Sequence, residues 1–325
     1  MTHKTSHSPY VRWTLAIIVF LLACAACLNS NNPALCLQGF ALKQAIPADI
    51  EIIRNVEYGK GGDEPLTLDI VRPKRPSIKP MPAVIFVHGG GWQSGSKEAG
   101  IRKIIPLAQN GYFCVTINYR LTDKAPFPAQ IEDCKCAVRW LRAHAKDYNV
   151  DSNHIGAWGS SAGGHLVALL GTSGGVKELE GNGGWEKFSS KVQAVADYFG
   201  PTDFLYWAEE AKKKGFNIEE LERKRANGAI SKLLGGPFSQ KIDVAKKASP
   251  TTYVDKKDPP FFIAHGENDN LVPLSQSKVL YEALKKNGIE CMLHIVKGEG
   301  HGFKTPETDK LVMDFFDKHL KERKK

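Results

Sequence analysis

From Pro82 to the end of the chain, short apolar runs alternate with stretches whose apolar residues recur at helical spacing. Strands that are apolar on both faces are typical of a parallel sheet covered by helices on both sides. Two of the intervening stretches, 128–147 and 275–287, are predicted helices, with Ser275 as the N-cap of the second. The six predicted strands are AVIFVH, YFCVTINY, HIGAWG, VQAVADYFG, PFFIAHG and CMLHIVKG. The pattern therefore predicts an α/β fold with a mostly parallel central sheet.

Two further segments depart from this alternation. IEIIRNVEYG and EPLTLDIVRP precede Pro82 and are joined by the turn-rich KGGD, which predicts an antiparallel hairpin. Residues 204–254 follow VQAVADYFG, the sixth strand when the two hairpin strands are counted. They form a charged, partly helical insertion whose pattern is too ordered for a linker. A cap over the carboxyl edge of the sheet and a helical excursion at the periphery fit this segment equally well.

The amino-terminal residues have a different composition. Two basic residues precede the apolar run WTLAIIVFLLACAACL, which is followed by the polar NSNNP. This order is that of a secretory signal, and the run is shorter than the roughly 20 residues of a transmembrane helix. We therefore expect a signal peptide over 1–28, a tether over 29–45, a catalytic domain over 46–325, and export of the protein to the periplasm or the exterior. The endings LLAC and CAAC resemble lipidation sites at Cys24 and Cys27, so a lipid is the one membrane attachment that the sequence suggests.

Composition narrows the function classes. The chain has 325 residues, of which 42% are hydrophobic, and this suits one large core. Its net charge is +9, but Lys and Arg are interleaved with Asp and Glu, which argues against a nucleic-acid partner. The seven cysteines are unevenly spaced and match no disulfide or zinc pattern, so we expect free thiols. No cofactor and no metal are implied.

The stretch GAWGSSAGG contains two adjacent serines. Only Ser161 has glycine both two residues before it and two residues after it, at Gly159 and Gly163, because Trp158 occupies the earlier position for Ser160. A nucleophile presented on a tight turn between a strand and a helix needs such glycines, since side chains there would collide with neighbouring elements. A predicted strand precedes the motif and a predicted helix follows it. Ser161 is therefore the candidate nucleophile.

A serine hydroxyl is a weak nucleophile at neutral pH and needs a base and a group that orients the base. In this class of fold the acid and then the histidine follow the serine, on loops after late strands. Asp269 lies just beyond PFFIAHG, with Glu267 as the competing acid, and His301 lies in the turn GEGHGF after the last predicted strand. Three other histidines are predicted to be structural, namely His165, His265 and His294.

An oxyanion also needs hydrogen-bond donors. AVIFVHGGGW ends a predicted strand with three glycines, whose backbone N–H groups can closely approach a developing negative charge. The helix beginning at Ala162 offers another N–H with its dipole behind it. A phosphate-binding loop is disfavoured because the chain has no GxxxxGK[ST] motif. Trp92 and Trp207 are candidates for an aromatic or sugar-binding wall, or for core packing.

With these pieces in order, the chain from about Glu51 to Leu320 resembles the α/β-hydrolase superfamily. Within it, the chain resembles the esterase/lipase branch related to hormone-sensitive lipase and to the bacterial feruloyl and acetyl-xylan esterases of the BD-FAE family. The blocks that carry the resemblance are HGGGW, GSSAGG, FGPTDF, HGENDNLVPLSQS and GEGHGF.

The resemblance implies specific roles. Ser161 would be the nucleophile, Asp269 the orienting acid and His301 the base. The oxyanion hole would consist of Gly90, Gly91 and the N–H of Ala162, with a shift toward Gly89 as the alternative.

The implied activity is hydrolysis of carboxylic esters through an acyl-enzyme. The substrates would be small esters or acetyl and feruloyl esters on polysaccharides. A general carboxylesterase fits equally well, and a serine peptidase or an arylformamidase would share the fold and the three side chains. A non-catalytic binding module on the same scaffold is the alternative from a different class, although such modules usually lose one of the three side chains.

Overall fold

The computed structural model describes residues 46–75, 77–226 and 228–321. The predicted signal peptide, the tether up to residue 45 and the cysteines at 24, 27 and 36 lie outside the described residues. The eight strands are β1 (Ile50–Gly61), β2 (Glu64–Pro73), β3 (Met81–Val87), β4 (Phe113–Ile117), β5 (Val150–Ser160), β6 (Ala194–Tyr198), β7 (Phe261–Gly266) and β8 (Cys291–Val296). Each strand contains a run that the sequence pattern predicts.

All eight strands belong to one sheet, in the order β1-β2-β4-β3-β5-β6-β7-β8. The pairs β1/β2 and β2/β4 are antiparallel, and every later pairing is parallel. The turn between β1 and β2 passes through Gly62, whose φ of 66° suits glycine. The predicted fold class, a mostly parallel sheet with an amino-terminal antiparallel hairpin, is confirmed. The carboxyl ends of β3, β5, β6, β7 and β8 therefore meet at one edge of the sheet.

Helices cover both faces of the sheet. They are α1 (Glu98–Gln109), α2 (Ala129–Ala143), α3 (Ala162–Thr172), α4 (Phe204–Lys213), α5 (Ile218–Ala226), α6 (Ala229–Leu234), α7 (Ile242–Ala248), α8 (Leu274–Lys286) and α9 (Pro306–Leu320). Side chains of α1 and α9 share one buried cluster with β3, including Ile104, Phe316 and Phe86. Side chains of α2, α3 and α8 form a second cluster on the other face, with Val138, Leu166 and others.

The start of α8 differs from the prediction. Its N-cap position is Pro273, which makes no side-chain capping bond, and the hydroxyl of Ser275 instead donates to a carboxylate oxygen of Glu210 in α4. The predicted serine cap was therefore wrong: the hydroxyl connects α8 to the insertion.

The described residues of the insertion between β6 and β7 form four short α-helices, α4 to α7. Asp203 caps α4 by accepting from the backbone N–H of Tyr206 at 2.9 Å. The two ends of the insertion meet, because the hydroxyl of Ser249 accepts from the N–H of Phe204 at 3.0 Å.

In the part of the chain that the structure describes, no helix is long and apolar enough to cross a bilayer. In that same part Cys114, Cys134, Cys136 and Cys291 are free thiols.

Candidate active site

Ser161 lies at the turn between β5 and α3. Its φ of 56° and ψ of −121° are outside the regions that a non-glycine residue ordinarily adopts. Such strain persists only where the surroundings fix the backbone, and it is concentrated at functional sites. Here the N–H of Ser161 donates to the carbonyl of Tyr198 at 2.8 Å, and the carbonyl of Ser161 accepts from the N–H of His165 at 2.9 Å. The hydroxyl is therefore presented from a rigid turn.

Close packing explains the two glycines that flank the serine. A Cβ added at Gly163 would lie 2.1 Å from the carbonyl oxygen of Val87 in β3, and one added at Gly159 would lie 2.2 Å from the carbonyl oxygen of Gly163. Both distances are far below van der Waals contact, so neither position tolerates a side chain unless the backbone moves. The spacing of the motif thus follows from how closely α3 approaches the sheet.

The imidazole of His301 lies between the hydroxyl and a carboxylate. His301 Nε2 is 2.9 Å from Ser161 Oγ, and His301 Nδ1 is 2.7 Å from Asp269 Oδ2. An ionised carboxylate only accepts hydrogen bonds, so Nδ1 carries the proton and Nε2 is free to accept from the serine hydroxyl. The structure thus brings together three side chains from the loops after β5, β7 and β8, although 140 residues separate Ser161 from His301.

Several donors converge on Asp269, whose side chain is fully buried. Its Oδ1 accepts from the N–H groups of Leu271 at 2.8 Å and Val272 at 2.9 Å. Burial alone would raise the pKa of Asp269, but hydrogen bonds from His265 and His301 outweigh burial and hold the pKa well below its ordinary value. The carboxylate therefore stays ionised opposite His301 at neutral and mildly acidic pH.

His265 supports this carboxylate, a contact that the sequence did not reveal. Its Nε2 lies 3.0 Å from the carbonyl of Val272 and 3.3 Å from Asp269 Oδ2, while its Nδ1 lies 2.7 Å from the hydroxyl of Ser277. Both groups facing Nε2 are acceptors, so Nε2 carries the proton and Nδ1 accepts from the serine.

The competing acid lies elsewhere. Glu267 accepts from the backbone N–H of Gly298 at 3.1 Å and is exposed. His294 Nε2 lies 3.1 Å from the hydroxyl of Thr308, away from the three side chains. Phe199 is the first residue of the FGPTDF block, to which the sequence assigned no role, and it contacts the His301 ring edge to face with centroids 4.7 Å apart. Its φ of 44° is again unusual for a bulky residue.

The glycine loop after β3 lies directly against Ser161. A Cβ added at Gly89 would meet the carbonyl oxygen of Ser160 at 2.7 Å and the Cβ of Ser161 at 3.2 Å. Gly90 has a φ of 116° and lies close to Ser94, so only glycine fits there without strain. Gly90, Gly91 and Ala162 all line the same cavity as Ser161. The backbone N–H groups at the start of α3 lack partners within the helix, which suits them to an anion.

The cavity above Ser161 has a volume of about 620 Å³. One wall consists of residues from the insertion, namely Trp207, Ile218, Leu221, Ala229 and Ile230. Trp92 also lines the cavity although its side chain is almost fully buried. A second, more open cleft of about 390 Å³ adjoins His301 and is bordered by Asn268, Asn270 and Gly300. Among the described residues, no group of three or more His, Cys, Asp or Glu side chains is arranged to hold a metal ion.

One buried carboxylate lies beneath the turn. Asp197 at the end of β6 is fully buried, and its Oδ1 accepts from the N–H of Gly200 at 3.0 Å. Its Oδ2 has no hydrogen-bond partner among the residues that the structure describes. Burial raises the pKa of Asp197 to about 6, against smaller opposing effects of Gly200 and His265. The folded protein therefore retains a proton on Asp197 that the unfolded chain releases at lower pH.

We expect the substitution Asp197→Asn to flatten the pH dependence of stability. A folded-state pKa above the unfolded value gives stability that is lost as pH rises from about 4 to about 6. The melting temperature of Asp197→Asn, relative to the unsubstituted protein, should thus increase between pH 4.5 and pH 7.5. Thermal unfolding of both proteins at several pH values measures this difference. Parallel curves would show that the Asp197 carboxyl does not titrate in this range.

Comparison with known proteins gives a consistent result. Residues 68–284 match the model of the family described as BD-FAE. The esterase LipQ of Mycobacterium tuberculosis (strain ATCC 25618 / H37Rv) is 34% identical over 238 residues, which are 72% of this chain and 53% of that protein. The chain spans about half the length of the curated relatives it matches.

Solved structures agree with these matches. A truncated form of a carbohydrate esterase from gut microbiota superposes with a TM-score of 0.74 at 32% identity, covering 84% of this chain and 97% of that one. Propionate-bound esterase Est2 from the Planctomycetes species Thermogutta terrifontis gives a TM-score of 0.67 at 28% identity, covering 85% and 97% of the two chains.

Proposed function

The chain belongs to the BD-FAE family of α/β-hydrolases, and on that premise we propose that it is a serine esterase in which Ser161, His301 and Asp269 form the catalytic triad. The observation that carries the proposal is the continuous hydrogen-bond chain from the Ser161 hydroxyl through His301 to Asp269, beside a glycine loop and a helix N-terminus. Esterases among the relatives and the structural neighbours support it.

The first half of the reaction is acylation. His301 Nε2 takes the proton of Ser161 as Oγ attacks the ester carbonyl, and the positive charge on the ring is stabilised by the Asp269 carboxylate. The N–H groups of Gly90, Gly91 and Ala162 hold the oxyanion of the tetrahedral intermediate. When the intermediate collapses, the bond to the alcohol oxygen breaks, and His301 gives its proton to that oxygen. The alcohol leaves and the acyl group remains on Ser161.

Deacylation repeats these steps with water. His301 accepts a proton from the water as its oxygen attacks the acyl carbonyl, and the same N–H groups hold the second oxyanion. Collapse breaks the bond between the carbonyl carbon and Ser161 Oγ, and His301 returns the proton to Oγ. The carboxylic acid leaves, and the enzyme is regenerated in its starting protonation state.

The two cavities suggest which side each part of the ester takes. The leaving alcohol must lie where His301 can protonate it. His301 lines both cavities, but the smaller cleft is the one bordered by the polar residues Asn268 and Asn270. The larger cavity has the apolar wall from the insertion and suits the acyl group. A polar alcohol, such as a sugar hydroxyl, with a small or aromatic acyl group therefore fits best. Acetyl and feruloyl esters on polysaccharides combine such an acyl group with a sugar hydroxyl. An exported enzyme would reach polysaccharides outside the cell, and residues 1–28 have the character of a secretory signal.

A substrate panel tests the proposal against its alternatives. We expect hydrolysis of p-nitrophenyl acetate and of methyl ferulate or acetylated xylan, and no cleavage of a prolyl anilide. Turnover of the anilide alone would favour a peptidase, and turnover of an N-formyl arylamine alone would favour an arylformamidase. A folded protein that hydrolyses nothing and does not react with a fluorophosphonate would favour a binding module.

Narrowing the apolar cavity should shift the acyl preference. Leu221 is only partly buried and lines the cavity, so Leu221→Trp adds volume where an extended acyl chain would lie. We expect the ratio of kcat/KM for p-nitrophenyl octanoate to that for p-nitrophenyl acetate to fall about tenfold, because several buried methylenes lose their contacts. The control is Ile242→Trp, at an exposed position on α7 outside the cavity. Equal changes for both esters would place the acyl chain elsewhere.

A further inference from the structure

His165 is a polar residue buried among aromatic side chains, those of Trp92 and Phe204. It lies on α3 one turn after Ser161 and is fully buried, yet both of its ring nitrogens have partners. The indole N–H of Trp92 lies 3.1 Å from Nδ1, and the carbonyl oxygen of Ala248 lies 2.7 Å from Nε2. An indole only donates and a carbonyl only accepts, so Nδ1 is unprotonated and Nε2 carries the proton. Burial lowers the pKa of His165 to about 4, and the ring therefore stays neutral in one tautomer.

Trp92 is held in an unusual conformation. It follows Gly91 directly, and its φ of 58° is rare for a residue with a large side chain. Its carbonyl accepts from the N–H of Thr122 at 2.9 Å. Its ring meets the rings of His165 and Phe204, with centroids 5.2 Å and 6.0 Å away. Strain of this kind persists only where neighbouring groups enforce it, and here the side-chain contacts do so.

We propose that His165 is a positioning residue that fixes the glycine loop relative to the nucleophile through its hydrogen bond with Trp92. This inference rests on the proposed function. The donors of the proposed oxyanion hole come from two elements, Gly90 and Gly91 from the loop after β3 and Ala162 from α3. His165 belongs to the same first turn of α3 as Ala162, and its side chain holds the residue next to Gly91. The imidazole therefore connects the two halves of the hole.

The second hydrogen bond of His165 reaches the insertion. Ala248 is the last residue of α7, and Phe204, the first residue of α4, lies against the His165 ring with centroids 5.4 Å apart. This bond and the bond to Trp92 can be broken separately. If His165 acts through the loop, only loss of the Trp92 bond should affect transition-state stabilisation.

Three variants separate the two bonds. Trp92→Phe keeps an aromatic ring but removes the indole N–H. His165→Asn places an amide oxygen near the position of Nδ1 and keeps an acceptor for Trp92, whereas His165→Gln places an amide nitrogen near Nε2 and keeps a donor for Ala248. We expect Trp92→Phe and His165→Gln to lower kcat for p-nitrophenyl acetate about tenfold, less than the loss of a whole oxyanion donor. His165→Asn should retain most of the activity.

The readout distinguishes positioning from packing. The KM of Trp92→Phe should change by less than about twofold, because the interaction acts in the transition state. Its affinity for phenylboronic acid, which forms a tetrahedral adduct with an active serine, should fall by the same factor as kcat. A lower melting temperature with unchanged kcat, or a rise in KM alone, would overturn the inference. Should the His165 variants not fold, Trp92→Phe decides. An inactive unsubstituted protein would instead contradict the proposed function.

Discussion

Substituting Ser161 with alanine is expected to lower kcat for p-nitrophenyl acetate by about five to six orders of magnitude. The reason is that no other nucleophile occupies the position 2.9 Å from His301 Nε2 in the described part of the chain. The proposed oxyanion donors and the cavity remain in this variant, so its residual rate should still exceed the rate of the uncatalysed reaction in water. Initial rates at saturating substrate measure the loss. Labelling by a fluorophosphonate, which phosphonylates active serines, should disappear in the same variant.

The adjacent serine provides a matched control. Ser160 lines the same cavity, but the hydroxyl in contact with His301 is that of Ser161. We expect Ser160→Ala to remain within about tenfold of the unsubstituted protein, because loss of a peripheral contact costs about 1 kcal/mol. Both variants should melt close to the unsubstituted protein. Labelling that persists in Ser161→Ala, or that is lost in Ser160→Ala instead, would contradict the assignment of the nucleophile.

Local sequence patterns were enough to predict the strands and their mostly parallel arrangement, but not their order in the sheet. Each parallel strand is an apolar run bounded by polar or glycine-rich turns, and this pattern does not depend on distant residues. The position of Ser161 was also predictable. Because α3 approaches β3 so closely, only glycine fits at positions 159 and 163, and these two glycines are visible in the local sequence. Chain order then left Asp269 and Glu267 as candidates, and only their geometry separates them.

Most side-chain contacts between segments far apart in the chain could not be predicted from the sequence. The hydrogen bond between Trp92 and His165 joins residues 73 positions apart, and nothing near either residue indicates it. The same holds for Phe199 against His301, and for Ile218, Leu221 and Ile230 of the insertion in the cavity wall; only Trp207 among the insertion residues was a candidate for that wall from the sequence. At Ser275 a local capping rule was overridden, because Glu210 of the insertion offers the hydroxyl a carboxylate acceptor. Local rules therefore predict elements, whereas the partners of buried polar groups are set by tertiary packing.

Replacing Asp269 with asparagine should lower kcat by about three to four orders of magnitude, although the side chain keeps its size. Two backbone N–H groups, those of Leu271 and Val272, already occupy Oδ1, so the amide oxygen of the variant will take that side. The amide nitrogen then faces His301 Nδ1, which must accept rather than donate. This inverts the tautomer: the proton moves to Nε2, where it blocks acceptance of the Ser161 proton.

The neighbouring acid makes the test specific. Glu267→Gln removes a carboxylate two residues away that contacts only backbone in the described structure, and the activity of this variant should stay within a few fold of that of the unsubstituted protein.

The pH dependence of stability supplies a second test of Asp269. The low pKa of Asp269 means that its charge stabilises the fold above the unfolded value near 4 and ceases to do so as pH falls further. In Asp269→Asn the amide also meets the N–H of His265, so its deficit in melting temperature should be largest at neutral pH and shrink toward pH 3. A variant that melts normally yet keeps full activity would mean that His301 does not need a carboxylate, and the proposed triad would reduce to a serine and a histidine.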